Sequence, residues 1–183
     1  MTETIGNISG IAAFAGTAGQ LKVGSISEEA FILGKSFSYE DYTLFALADE
    51  EHFIVFNPVL YAGFFLFFDP IALSASSGPV LVDIYAGTDS DEDGTLLGAS
   101  NRRAAFPGPK STLRMDPTIN DIGTRFAGDM VPATGNNPNT ANGSSNSGGL
   151  PFEPIRPGKT AIKFTNLDGA DTYLQIKLTW YEL

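Results

Sequence analysis

The sequence contains no cysteine and a single histidine, His52. The lack of cysteine excludes a disulfide scaffold, a thiolate zinc site and a cysteine nucleophile. One histidine is too few for a transition-metal site built from several imidazoles, and no nucleophile-elbow pattern near it completes a Ser–His–Asp triad. Acidic residues are scattered and lie mostly in turns, so the paired carboxylates of a glycosidase are not indicated. We therefore expect no catalytic residues and no enzymatic activity.

Basic residues are also few, since 11 Lys and Arg stand against 21 Asp and Glu and give a net charge of −10. A nucleic-acid-binding surface needs clustered Lys and Arg, so we expect no nucleic-acid partner. The one short basic cluster is Asn101, Arg102 and Arg103. It has two interpretations: a surface turn that pairs with the acidic segment before it, or a contact with the acidic surface of a partner.

No hydrophobic run is long enough to span a membrane. The most apolar segment, residues 53–73, is interrupted by Asn57, Pro58, Gly63, Asp69 and Pro70. Its longest clean run, residues 59–68, falls well short of the roughly 20 residues that a spanning helix needs. We interpret this segment as two buried strands joined by a turn and expect no membrane partner. The first residues lack a basic region followed by an apolar one, so we expect no signal peptide.

The residue types that are abundant favour β-structure with many turns. The chain contains 14 Phe, 20 Gly and 11 Pro, and 43% of its residues are hydrophobic. Strand-like runs begin at Ala30, and acidic turn residues follow at 87–94. Residues 100–150 are predicted to be mostly irregular. We expect eight to ten strands in an all-β, antiparallel two-sheet sandwich, jelly-roll-like, spanning residues 26–183. Residues 135–149 are Gly-, Asn- and Ser-rich and predict a flexible surface loop.

The closing segment gives the clearest pattern, because hydrophobic and polar positions alternate strictly. One face carries Leu174, Ile176, Leu178 and Trp180, and the other carries Tyr173, Gln175, Lys177, Thr179 and Tyr181. A slip of one residue would bury Lys177 and expose Trp180, so the register is well specified. We predict that Trp180, the only tryptophan, is buried.

Residues 1–25 are predicted to form an extended N-terminal arm. Ile5, Ile8, Ile11 and Phe14 recur every three residues, but the glycines between and after them disfavour a helix. An arm with spaced apolar residues suits contact with a neighbouring subunit, and these four residues are the predicted contacts. A frayed terminus is the alternative.

The acidic turn contains the most specific local pattern, in which oxygen-bearing residues alternate before a glycine. Asp89, Asp91, Asp93 and the Thr95 carbonyl match the first half of a calcium-binding loop. The match ends there, because position twelve is Ser100 rather than a bidentate glutamate. The alternatives are a calcium site and a solvated hairpin turn closed by Asp93 and Gly94. No other cofactor is indicated.

Two stretches together carry a family resemblance. The first is Val80-Leu-Val-Asp-Ile-Tyr-Ala-Gly-Thr, followed by Asp93-Gly-Thr-Leu-Leu and Asn101-Arg-Arg; the second is Gly158-Lys-Thr-Ala-Ile-Lys-Phe-Thr-Asn, followed by Tyr173-Leu-Gln-Ile-Lys-Leu-Thr-Trp-Tyr-Glu. These motifs resemble those of a family of tailed-bacteriophage virion proteins. The resemblance covers roughly residues 45–183, and the closing motif is its most specific part. It implies a β-sandwich, a role as a capsid decoration (cement) protein or head-fibre base, and no catalytic residues.

The expected function is therefore that of a virion structural protein on the capsid surface, made in the host cytoplasm. Its expected partners are the major capsid protein and further copies of itself. The expected homo-oligomer is a trimer. The alternatives are a receptor- or carbohydrate-binding β-sandwich of a tail or head fibre, and a minor neck or tail protein. A sugar site would require an exposed Trp or Tyr beside the acidic turn, which the predicted burial of Trp180 disfavours.

Overall fold

The structure, a computed structural model, describes residues 4–8, 11–15, 21–45, 51–58, 66–68, 72–75, 78–132, 145–146, 158–169 and 171–182. Side chains are described for residues 28, 30–40, 51–58, 75, 78–132, 158–169 and 171–182. In this part of the chain, no helix is long and apolar enough to cross a membrane.

One helix and sixteen strands make up the described structure. In chain order they are β1 (Thr4–Ile8), β2 (Ile11–Ala15), β3 (Leu21–Ser25), α1 (Ile26–Ile32), β4 (Ser36–Phe45), β5 (Glu51–Asn57), β6 (Leu66–Phe68), β7 (Ala72–Ala75), β8 (Val80–Ser90), β9 (Thr95–Leu96), β10 (Ser100–Asn101), β11 (Thr112–Met115), β12 (Ile119–Asp121), β13 (Thr124–Val131), β14 (Ser145–Asn146), β15 (Lys159–Asn166) and β16 (Thr172–Glu182).

Two large antiparallel sheets form the body of the protein. The first has the order β10-β4-β16-β7-β14, and β6 also pairs with β16. The second has the order β12-β8-β15-β5-β11-β9, and β13 pairs with the other side of β8. The prediction of an all-β, antiparallel two-sheet sandwich is confirmed.

The core lies between these sheets and is centred on Trp180. This side chain is fully buried, as predicted, with its ring centroid 5.9 Å from that of Phe37 and 5.7 Å from that of Phe56. Phe37 belongs to β4 in the first sheet and Phe56 to β5 in the second. The tryptophan on β16 therefore joins the two layers, and its edge-to-face contact with Phe56 adds to its hydrophobic burial.

The alternation predicted for β16 holds over its first half only. Leu174, Ile176 and Leu178 are fully buried, whereas Tyr173 and Lys177 on the other face are exposed. Near the end of the strand Thr179 and Tyr181 are buried too, contrary to the prediction. There β6 pairs with residues 180–182, and helix α1 also contacts β16, so this end of the strand is more enclosed than its beginning.

Three sequence predictions about local structure are wrong. Residues 30–32 belong to helix α1 rather than to a strand, and the described residues form sixteen strands rather than eight to ten. Strand β8 also continues to Ser90, so residues 87–90 are strand and not part of the turn predicted at 87–94. Gly87 has a φ of +74° at a point where the pairing register with β15 shifts, so this glycine forms a bulge inside the strand and does not end it.

The N-terminal residues form a third sheet, in which β1, β2 and β3 pair antiparallel in that order. The side chains of Ile5, Ile8, Ile11 and Phe14 lie outside the described residues, so their predicted contacts stay a prediction. Most of the predicted flexible loop at 135–149 also lies outside them.

Candidate functional site

Two chain segments cross the second sheet in opposite directions. Residues 91–94 lead from β8 to β9, which lies at the far edge beyond β11. Residues 116–118 lead back from β11 to β12, which pairs with β8. The first segment carries Asp91 and Asp93, two of the predicted calcium ligands; of the others, Asp89 lies near the end of β8 and Thr95 begins β9.

Hydrogen bonds between the two segments engage these carboxylates. Thr118 donates its amide to Asp93 Oδ1 at 2.7 Å and its hydroxyl to Oδ2 at 2.6 Å. Asn120 Nδ2 donates to Asp91 Oδ1 at 3.0 Å, and the Asp91 amide donates to the Thr118 carbonyl at 3.0 Å. The bond from the Thr118 hydroxyl, followed by that from its amide, lowers the pKa of Asp93, since both favour the ionised carboxylate.

Gly94 allows the two segments to approach closely. It has a φ of +72°, and a Cβ at this position would lie 2.5 Å from the Met115 carbonyl oxygen and 2.8 Å from Pro117 N. Only glycine fits such a conformation at such a distance. Arg114 Nη1 completes the contact by donating to the Asp93 and Gly94 carbonyls at 3.3 and 3.4 Å.

The predicted calcium site remains a prediction. Within the described residues, no group of three or more His, Asp or Glu side chains is arranged to hold a metal ion. The contacts of Asp91 and Asp93 give these carboxylates another role, because both accept hydrogen bonds from residues 118–120 and join the crossing segments. Asp89 and Glu92 of the same turn are exposed.

His52 and Asp116 are joined by a side-chain hydrogen bond at the beginning of the second crossing segment. His52 Nδ1 lies 3.0 Å from Asp116 Oδ2, and the Phe53 amide donates to Asp116 Oδ1 at 2.7 Å. Partial burial acts to raise the pKa of Asp116, but the hydrogen bonds from His52 and Phe53 outweigh it and the pKa is lowered. His52 Nε2 is buried and is therefore closed to a substrate arriving from solvent.

A separate surface combines exposed apolar side chains with two arginines, and we call it the arginine patch. Its members are Phe31, Ile32, Leu33, Arg102, Arg103 and Phe106. The Arg103 guanidinium lies 4.5 Å from the Phe106 ring centroid and 6.0 Å from that of Phe31, and Arg102 lies 5.8 Å from the Phe31 ring. Such distances allow cation–π attraction.

Asn101 and Gly34 fix the shape of the arginine patch. Asn101 Nδ2 donates to the carbonyls of Gly34 and Pro107, each at 2.8 Å, while its Oδ1 accepts from the Arg103 amide at 2.9 Å. Gly34 has a φ of +67°, and the Phe106 ring occupies the space that a Cβ would need. Arg103 Nη1 also donates to the Ile32 carbonyl, which ties residues 101–107 to the end of α1.

The sequence identified the two arginines of this patch but not its apolar half. The short apolar run at residues 30–33 predicts a strand, whereas Phe31 and Ile32 form the exposed end of α1 and Leu33 follows it. In the part of the chain that the structure describes, neither guanidinium is paired with a carboxylate. The prediction that these arginines pair with the acidic turn of the same molecule is therefore not met.

We compared the chain with protein-family profiles, curated proteins and solved structures, and none of them matches it.

Proposed function

We propose that this chain is a virion structural protein of a tailed bacteriophage, a capsid decoration (cement) protein. It binds the outer surface of the capsid lattice and stabilises the shell against the pressure of the packaged genome. The major capsid protein is its partner. The protein is made in the host cytoplasm and functions on the virion.

The observation that carries the proposal is the place of the family-like motifs in the fold. The stretch from Val80 lies in β8 and the stretch from Lys159 is β15, and these strands are neighbours inside the second sheet. The closing motif is β16, an inner strand of the first sheet. The resemblance therefore falls on the core strands of both layers, and it is not confined to one surface turn.

The arginine patch supports an assembly role. Aromatic residues and arginine are enriched in protein interfaces, and they supply many of the residues whose truncation weakens binding most. Exposed Phe31, Ile32 and Leu33 beside two guanidiniums give this composition on a chain of net charge −10.

The sugar-binding alternative has less support. It requires an aromatic platform beside the acidic turn, but Trp180 is fully buried. The large exposed apolar side chain at the turn is Leu96, which offers no ring for stacking on a sugar.

Cryo-electron microscopy of virions from the phage that encodes this chain tests the proposal. We expect density for the sandwich to repeat over the outer capsid surface, and mass spectrometry to find many copies in each particle. Density confined to the neck, the tail or a fibre would contradict it. Binding on a glycan array that is lost with EDTA would favour the carbohydrate-binding alternative.

The role of residues 1–25 as the lattice-binding arm is tested by deleting them. We expect the shortened protein to keep the melting transition of the sandwich but to fail to coat capsids that lack the decoration protein. Normal occupancy of the capsid by the shortened protein would contradict this assignment and would favour the arginine patch as the capsid-binding surface.

A further inference from the structure

The apolar residues of the arginine patch are largely exposed to solvent. Ile32 is 58%, Leu33 51% and Phe31 42% exposed, and these three residues are consecutive at the end of α1. Scattered exposed apolar residues are normal on soluble proteins, but a contiguous group beside charged residues marks an interaction site. A partner that covers this surface would remove the three side chains from water.

The arginines define the charge of that partner. Each guanidinium lies over a phenylalanine ring, so one face of its plane is occupied by that ring. Each side chain also makes one described hydrogen bond, from Arg102 to Ser36 Oγ and from Arg103 to the Ile32 carbonyl. A guanidinium has five N–H donors, so several stay available on each residue. A carboxylate is the group that best matches such a fork of donors.

A second copy of this chain carries a surface with the complementary chemistry. The acidic turn has four carboxylates within five residues, at positions 89, 91, 92 and 93, and the 58% exposed side chain of Leu96 follows it. Asp91 and Asp93 hold residues 118–120, which fixes the shape of the turn. Asp89 and Glu92 are exposed and can contact another molecule.

We propose that copies of this chain associate head to tail, with the arginine patch of one copy binding the acidic turn and Leu96 of the next. Because the two surfaces are different, the contact is heterologous. It leaves a free patch and a free turn at the ends, so copies continue to add and form either a closed ring or an open filament. In the described structure the two surfaces of one molecule are not paired with each other, so both are available to neighbours.

The experiment uses the purified full-length chain, with charge reversal at each surface, and measures its mass by sedimentation velocity over a range of concentrations. The patch variant is Arg102→Glu with Arg103→Glu, and the turn variant is Asp89→Lys with Glu92→Lys. Asp91 and Asp93 are left intact so that the turn keeps its hydrogen bonds. Lys177→Glu and Asp129→Lys, which reverse exposed charges elsewhere, are the matched controls.

We expect the wild type and both controls to associate. Each paired variant alone should associate at least about 30-fold more weakly, the loss typical of an interface hot spot. A mixture of the patch and turn variants should associate again, because the intact patch of one meets the intact turn of the other. Ile32→Asp, which removes apolar contact without touching an arginine, should also weaken association.

Recovery on mixing separates this proposal from its rivals. A variant that had failed to fold could not recover, and circular dichroism of each variant reports folding directly. A wild type that stays monomeric at all concentrations would overturn the proposal. So would folded variants that associate like the wild type, or folded patch and turn variants that dissociate but do not recover on mixing. None of these measurements involves a capsid, so their outcome is independent of the test of decoration.

Discussion

Thr118 binds both carboxylate oxygens of Asp93, one through its amide and the other through its hydroxyl, at 2.7 and 2.6 Å. The two residues are 25 positions apart and belong to the two segments that cross the second sheet. This contact, together with the bond between Asp91 and Asn120, gives the acidic turn a structural role that does not require a metal ion.

The first prediction concerns the pH dependence of stability. The pKa of Asp93 is lowered in the folded protein, so its contribution to stability is present above the unfolded carboxyl pKa of about 4 and is lost as the pH falls through the folded pKa. Asp116 acts in the same direction. We expect the melting temperature to fall as the pH is lowered below about 4, and less steeply in Asp93→Asn.

Asparagine can still accept from the Thr118 amide and donate to its hydroxyl, so Asp93→Asn removes the charge while keeping a similar set of hydrogen bonds. Asp89→Asn in the same turn is the control, since its side chain is exposed and takes part in none of the hydrogen bonds described for the turn. Identical pH profiles for wild type and Asp93→Asn would contradict the prediction.

The second prediction concerns Glu182, a buried carboxylate at the end of β16. Its oxygens accept from the Lys110 amide at 3.2 Å, the Ser111 amide at 3.0 Å and Trp180 Nε1 at 3.3 Å. Glu182→Ala leaves these donors without the carboxylate, at a cost of about 1–3 kcal/mol for each buried donor that finds no other partner. We expect the free energy of unfolding in urea to fall by about 3 kcal/mol.

Glu92→Ala removes an exposed carboxylate and is the comparison for Glu182→Ala. Its effect should stay within about 0.5 kcal/mol, as is usual for surface substitutions. Equal losses in the two variants would show that the buried hydrogen bonds of Glu182 do not stabilise the fold.

The third prediction tests the contact that joins the two sheets. Trp180→Ala opens a cavity between Phe37 and Phe56 and should cost about 3–5 kcal/mol. Trp180→Phe keeps a ring in this position and should cost less. Lys177→Thr changes an exposed residue on the same strand and should leave the urea midpoint nearly unchanged. A small loss in Trp180→Ala would contradict the central position of this residue.

The fourth prediction concerns Gly34, whose positive φ shapes the arginine patch. Gly34→Ala forces a residue with a Cβ into the left-handed region of φ, which costs about 1–2 kcal/mol of stability. The new methyl group also displaces the Phe106 ring. We expect a lower melting temperature and, at temperatures where the variant is folded, weaker self-association. Gly98→Ala is the matched control because a Cβ there meets no atom within 4 Å.

The sequence predicts best where the environment of a strand repeats along its length. The first half of β16 alternates in burial as its residues alternate in polarity, so the inward face and the burial of Trp180 were predictable. The burial of Thr179 and Tyr181 was not predictable, because the elements that contact this end of the strand, β6 and α1, lie more than a hundred positions earlier in the chain.

The candidate sites were predictable only in part, for a related reason. The spacing of Asp89, Asp91 and Asp93 marks an acidic turn, but nothing local indicates that Thr118 and Asn120 occupy two of its carboxylates. Likewise Arg102 and Arg103 form a basic cluster in the sequence, while the contact of Arg102 with Phe31 joins residues 71 positions apart. Pairings between distant segments leave little trace in local composition.

The place of β16 in the first sheet also sets the order of folding in the cell. Strands β4, β6 and β7 all pair with it, yet it follows them in the chain. The ribosome must therefore expose residue 182 before this sheet can close, and the apolar strands made earlier have to wait without their central partner. Pairings over such sequence distances slow folding. Until β16 is available, these strands expose unpaired edges of the kind that make folding intermediates prone to aggregation.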